Sequence, residues 1–91
     1  MPKTTVRFQP TPNPNAGKFT LNRKVLEGTA SRSFYNADDA AGNPLASALF
    51  DVEGVASVFM VDDFITVTKT PSAEWETLIP KVQAVIEQVV G

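Results

Sequence analysis

The run Phe50–Lys69, FDVEGVASVFMVDDFITVTK, constrains the fold of this chain more than any other stretch. It reads as a helix end, a glycine stop, a strand, a tight turn and a second strand. Val55 to Val61 is apolar on both faces, with Ser57 the one polar interruption. That pattern predicts a strand covered on both sides or lying near the sheet centre. Asp62-Asp63 follows as a turn, and Phe64 to Lys69 returns with Phe64, Thr66 and Thr68 opposed to Ile65 and Val67. Two such runs separated by two or three turn residues make a hairpin.

Upstream, Val6 to Gln9 alternates apolar and polar residues, as a half-buried strand does. Pro10, Pro12 and Pro14 then interrupt it. Proline fixes φ, lacks an amide donor and biases the residue before it toward extended backbone, so PTPNPNAG is a stiff loop. Alternation resumes from Lys18 to Leu21 with Phe19 and Leu21 on one face, so these two runs are expected to pair across the proline loop. Asn22 to Gly28 reads as a connection that sends Val25 or Leu26 toward the core. Ser31 to Tyr35 is a short third strand with Phe34 inward and Tyr35 partly wet, and Asn36 to Asn43 is turn chemistry.

Asn43-Pro44 starts a helix by two rules: asparagine accepts from first-turn N–H groups, and proline suits the first helical position. Leu45, Ala48, Leu49 and Val52 share one face at helical spacing, with Gly54 expected in the left-handed position after the helix and Val55 folding back on it. Thr70-Pro71 repeats the cap-then-proline pattern, with Ser72 as the alternative cap. The last helix then carries a stripe of Trp75, Leu78, Ile79, Val82, Val85, Ile86 and Val89. Pro80 inside it predicts a kink near Glu76–Pro80 or a division into two segments. The order β-β-(β)-α-β-β-α specifies an α+β domain: a mostly antiparallel sheet of four to five strands, with two helices on one face. Residues 1–91 are expected to form a single domain.

The 91 residues include no cysteine and no histidine. That excludes disulfides, thiolate ligands and a thiol nucleophile, and leaves the serines and threonines without an imidazole base. No apolar run approaches the roughly 20 residues of a membrane span, and the first residues lack a signal pattern, so a cytoplasmic protein is expected. Charge is uneven: residues 1–32 hold six basic residues against Glu27 alone, and residues 33–91 hold Lys69 and Lys81 against nine acids. The basic residues are scattered rather than clustered, so mixed strands and helices explain the asymmetry better than nucleic-acid binding does.

Few residue groups suggest chemistry. Asp62-Asp63 could form a carboxylate couple, but neighbouring turn residues point apart and hairpins use aspartate routinely. Asp38, Asp39, Asp51 and Glu53 add an acidic surface that lacks the ligand types selective iron binding needs. A serine paired with Lys18 or Lys69 has no supporting spacing, and Gly28, Gly42 and Gly54 are isolated rather than a phosphate cradle. Trp75 reads as core, with a partner anchor as the alternative. The loop Thr11-Pro12-Asn13-Pro14-Asn15 carries the most functional suggestion, because a pre-ordered loop presents its groups to a partner at low entropic cost. A rigid link between two strands is the other reading.

The helix-stop-strand pattern VEGVASVFMV is similar to the junction in small metallochaperone domains. Those domains carry a CxxC before the helix; here NADDAAGN stands in that region, so copper or zinc binding does not transfer. A more specific combination resembles the N-terminal domain of Nfu-type iron–sulfur scaffold proteins. It comprises Thr11-Pro12-Asn13-Pro14-Asn15 with Lys18-Phe19, Pro44-Leu45-Ala46 with Leu49-Phe50, Val52-Glu53-Gly54-Val55, Ser57-Val58-Phe59, Asp63-Phe64-Ile65-Thr66-Val67-Thr68-Lys69, and Trp75 with Leu78 and Pro80. The match runs over residues 8–90. Two-domain members of that family hold the cluster on a CxxC in a separate C-terminal domain, and no position here matches those ligands. The resemblance therefore implies a non-enzymatic accessory domain in iron–sulfur cluster assembly, docking on a scaffold, carrier or recipient protein. It implies no catalytic residue, no metal ligand and no cofactor. Thr11, Pro12, Asn13, Pro14, Asn15 and Lys18 are the expected partner-binding residues, with no nucleic-acid or membrane partner. The competing reading is a carboxylate-dependent metal binder or small hydrolase, from the acid excess after Arg32.

Overall fold

The computed structural model describes residues 4–24 and 31–90. Seven elements follow in order: β1 (Val6–Pro10), β2 (Ala16–Leu21), β3 (Ser31–Phe34), α1 (Pro44–Phe50), β4 (Val55–Val61), β5 (Phe64–Lys69) and α2 (Trp75–Val90). The five strands form one sheet in the order β1-β2-β5-β4-β3, and every neighbouring pair is antiparallel. The α+β architecture and element order match the sequence expectation, and the third strand is present. Val25, Leu26 and Gly28, expected in the connection before β3, lie outside the described residues.

Cross-strand register explains which side is buried. Directly paired residues point to the same face of a sheet. Phe8 pairs with Phe19, Phe19 with Ile65, Ile65 with Met60, and Val67 with Val58, which pairs with Phe34. Phe19, Ile65, Met60 and Val67 are fully buried, as are Leu49 of α1 and Val82 and Ile86 of α2. Both helices thus cover the same face. α1 is too short to persist without this contact. Ala40, from the turn before α1, is also fully buried, a role its small polar neighbours did not signal.

The opposite face of the sheet carries Lys18, Thr66 and Phe59 in one cross-strand row. Phe59 is 36% exposed and Val61 is half-buried. Of the two expected alternatives for β4, a place inside the sheet holds, between β5 and β3, and coverage of both faces does not. Its apolar outer residues reflect β-propensity and a place inside the sheet, not a second layer. A register shift between Val55 and Ser57 leaves Ala56 as a bulge at the start of β4.

Helix ends depart from the cap-and-stop reading. Asn43 caps α1 as expected, its Oδ1 accepting from Ala46 N at 3.0 Å. The helix nevertheless stops at Phe50 with Asp51 right-handed as its C-cap. Gly54 is left-handed, at φ +104°, but it serves the turn into β4 rather than the helix end. Ala46 is buried on the inner face, whereas Ala48 is half-buried. At the other helix, Thr70-Pro71 forms a turn, with Ala73 N donating to Thr70 O at 3.1 Å, and α2 begins only at Trp75. Neither Thr70 nor Ser72 caps it. The helix then runs unbroken through Pro80 as one 16-residue segment, so the expected division does not occur. Pro80 and Glu76 are both exposed, which leaves the Glu76 carbonyl open to water in place of the missing N–H. Leu78, Val82 and Ile86 are buried on the inner face, whereas Val89 is 41% exposed.

Asp62-Asp63 is a two-residue hairpin turn between the paired residues Val61 and Phe64. Asp62 has φ 52°, the positive value that tight hairpin turns require and aspartate tolerates. The Asp63 carbonyl accepts from Leu21 N at 2.8 Å, which ties the turn to β2. No helix is long and apolar enough to cross a membrane among the described residues.

Candidate functional site

The proline loop between β1 and β2 is held from within and from two other elements. Thr11 Oγ1 lies 2.9 Å from both Asn13 O and Ala16 O, donates to one of them at a time, and accepts from Asn13 N at 3.2 Å. Asn13 Oδ1 accepts from Asn15 N at 2.9 Å, and Ala16 N donates to Asn13 O at 3.0 Å. Asparagine and threonine are the residues whose side chains close such turns on nearby backbone. The three prolines restrict the chain further, so the TPNPN segment is ordered by both covalent and hydrogen-bonding constraints.

Lys69, at the end of β5, grips the loop from one side. Its N donates to Asn15 O at 2.7 Å, and its Nζ donates to Asn15 Oδ1 at 3.1 Å. Trp75, the first residue of α2, holds the loop from another, its Nε1 donating to Pro14 O at 2.9 Å. Beneath the loop the indole packs on Phe8 and Phe19, with ring centroids 5.3 and 6.3 Å away, and Phe8 meets Phe19 edge-on at 5.2 Å. Gly17 is required where the chain crosses this cluster, since a Cβ there would sit 2.5 Å from Phe8 Cε1 and 3.0 Å from Trp75 Cη2. What remains on the surface is Pro12, Asn13 and Pro14, while Thr11 and Asn15 are half-buried.

Of the residues expected to act together, Thr11 to Asn15 form one unit and Lys18 does not join it. Successive strand residues point to opposite faces. Gly17 and Phe19 face the helices, so Lys18 turns to the open face, where its Nζ stands 4.3 Å from the Phe64 ring centroid. The lysine in contact with the loop is Lys69, 54 residues beyond Asn15. Sequence spacing gave no sign of that pairing. The Trp75 ring belongs to the partly buried fringe of the core, close to the core expectation, and its Nε1 anchors this chain's own loop, a role not expected from the sequence.

The carboxylates do not converge. No group of three acidic side chains is placed to hold a metal ion among the described residues. Asp39 Oδ2 accepts from Tyr35 N at 3.1 Å, and Asn36 Oδ1 accepts from Asp39 N at 2.8 Å, so part of the acidic surface closes the turn before α1. An open groove between the β4 entry and α2 is lined by Glu53, Thr70, Ser72, Glu74 and Lys81, without a nucleophile and base in contact.

The family model for the scaffold protein Nfu/NifU N terminal matches residues 6–91. The chain belongs to the Nfu/NifU N-terminal family. It is 44% identical over 81 residues to "NFU1 iron-sulfur cluster scaffold homolog, mitochondrial" of Drosophila ananassae, covering 89% of this chain and 28% of that protein. It thus spans under a third of the length of the curated relatives it matches. Among solved structures, protein SAV1430 from Staphylococcus aureus superposes with a TM-score of 0.80 at 41% identity, covering 93% of this chain and 99% of that one. A NifU-like protein from Saccharomyces cerevisiae superposes with a TM-score of 0.82 at 27% identity, over 98% of this chain and 82% of that one. The TPNPN loop, the Gly54 turn and the β4-β5 hairpin that carried the resemblance all lie within the matched residues.

Proposed function

We propose that this chain is a non-enzymatic interaction domain of iron–sulfur cluster assembly, docking on a scaffold, carrier or recipient protein without ligating the cluster itself. The observation that carries this reading is family membership in a chain without cysteine or histidine. Iron–sulfur clusters are held by cysteine thiolates, with histidine as the replacement in some centres, so the usual ligands are absent from these residues. The rigid TPNPN loop supports a docking role, because its order is established before any partner arrives. Thr11, Pro12, Asn13, Pro14 and Asn15 form the proposed contact unit, with Lys18 beside it on the open sheet face. The proposed setting is the cytoplasm; "mitochondrial" in the names of the fly and plant relatives describes those proteins.

The test is co-purification with a cluster-loaded Nfu-type scaffold protein carrying its CxxC domain, followed by absorbance of the cluster. The expected result is a complex whose cluster stays on the scaffold protein, and whose yield falls when Asn13 and Asn15 are replaced by alanine. Complex formation unaffected by those replacements removes the loop from the interface. A cluster reconstituted on this chain alone overturns the non-ligating role.

A further inference from the structure

The open face of the sheet is charged with one sign. Among the described residues no strand carries an acid. Of the strand cations, Arg32 pairs with the buried Met60 and Lys69 follows the buried Val67 by two residues, which puts both on the helix-covered side. Arg7 and Lys18 remain for the open face. Arg7 pairs with Thr20 and Gln9 with Lys18, so both Arg7 and Lys18 project from the face that the helices leave uncovered. Phe59, Val61 and Phe64 lie alongside them, and Thr20 and Thr66 fill the space between. Phe59 is among the few large apolar side chains exposed by as much as 36%. The acids of the described residues sit in helices, turns and loops, and Asp62-Asp63 borders one end of this face. A net charge of −2 thus conceals a cationic, aromatic surface on an otherwise acidic protein.

We infer that this face docks an acidic segment of a protein partner, with carboxylates meeting Arg7 and Lys18 and apolar side chains covering Phe59, Val61 and Phe64. Charge complementarity selects the partner chemistry, and aromatic residues supply the contact area that charged pairs on a surface lack. A nucleic acid fits less well: two cations neutralise few of its phosphates, and the aliphatic Val61 offers its bases no stacking surface. A second copy packed face to face sets Arg7 and Lys18 against like charges. This inference rests on the interaction role proposed above and adds the surface and the chemistry of its partner.

The test titrates the full chain with a short synthetic peptide alternating glutamate with leucine and phenylalanine, read by amide NMR shifts. The controls are a peptide with lysine in place of glutamate and a single-stranded oligonucleotide. The shifts are expected to converge on Lys18, Thr20, Phe59, Val61, Phe64 and Thr66, with no response to the lysine peptide. Lys18→Glu weakens binding about five- to tenfold, Lys18→Arg preserves it, and added salt weakens it. Phe59→Ser weakens it about fivefold while leaving the spectrum folded. Absent shifts, shifts centred on the TPNPN loop or α2, an equal response to the oligonucleotide, or self-association through this face each overturn the inference. The purified scaffold protein separates the two proposals. Failure of the wild-type chain to bind it removes the interaction role. Undiminished binding by Lys18→Glu and Phe59→Ser removes only this surface.

Discussion

The indole Nε1 of Trp75 donates to the carbonyl of Pro14 at 2.9 Å, joining the first residue of the last helix to a loop 61 residues earlier in the chain. The bond closes the proline loop onto the core, and the same ring packs against Phe8 and Phe19. Trp75 is the only tryptophan in the sequence, so its emission reports on this junction. Trp75→Phe keeps most of the ring and loses the donor. A loss of about 1 kcal/mol is expected, the typical net value of one hydrogen bond, as a lower urea midpoint with unchanged slope. An unchanged midpoint means that the loop is held without Trp75.

Gly17→Ala inserts a Cβ where Phe8 and Trp75 already leave no room. Phe8 is packed on both neighbouring rings and has little freedom to retreat. The expected cost is about 1–3 kcal/mol, as for other overpacked cores. Thermal unfolding monitored by circular dichroism measures it, with altered aromatic side-chain NMR shifts localising the strain. A neutral result shows that the ring cluster yields easily.

Gly54→Ala meets two obstacles at one site: the backbone at φ +104° and the Ala73 Cβ 2.9 Å from the added atom. Alanine destabilises here by about 1–3 kcal/mol, since the left-handed region is costly for any residue with a Cβ. Combining it with Ala73→Gly restores the part due to contact and leaves the backbone part. Thermal melts of the two single variants and the double variant separate the terms.

Pro80→Ala is expected to stabilise the chain. It supplies an N–H to the Glu76 carbonyl in the interior of α2, where proline is intrinsically about 3 kcal/mol worse than alanine. Added freedom in the unfolded chain offsets part of this, leaving a gain of about 1–2 kcal/mol. The melting temperature rises by about 4–8 °C per kcal/mol for a domain of this size. A fall identifies Pro80 as part of the native packing rather than a defect in the helix.

Local chemistry made much of the fold legible. Alternation located the strands, Asn43-Pro44 located the start of α1, and the Asp62-Asp63 turn with its flanking strands specified the central hairpin. These features depend on φ preferences, side-chain period and capping groups within a few residues. The ends of the helices were less legible, because Thr70-Pro71 and Gly54 satisfy turn geometry as well as they satisfy a cap or a stop. Turn and cap differ only in what the following residues pack against.

The proline loop was visible at once as a stiff segment, for the same local reasons: three fixed φ values and side chains that bond their own backbone. Its attachment was not. Lys69 and Trp75 reach it only because β2 pairs with β5 and α2 crosses the same face of the sheet. The placement of Lys18 was likewise decided by alternation and register, which turned it toward Phe64 and away from the loop. Sequence alone determined which segments are rigid, extended or helical, since those properties arise within each segment. Tertiary structure decided which segments touch and which face remains open, because distant residues meet only after strands choose their partners and helices choose a side.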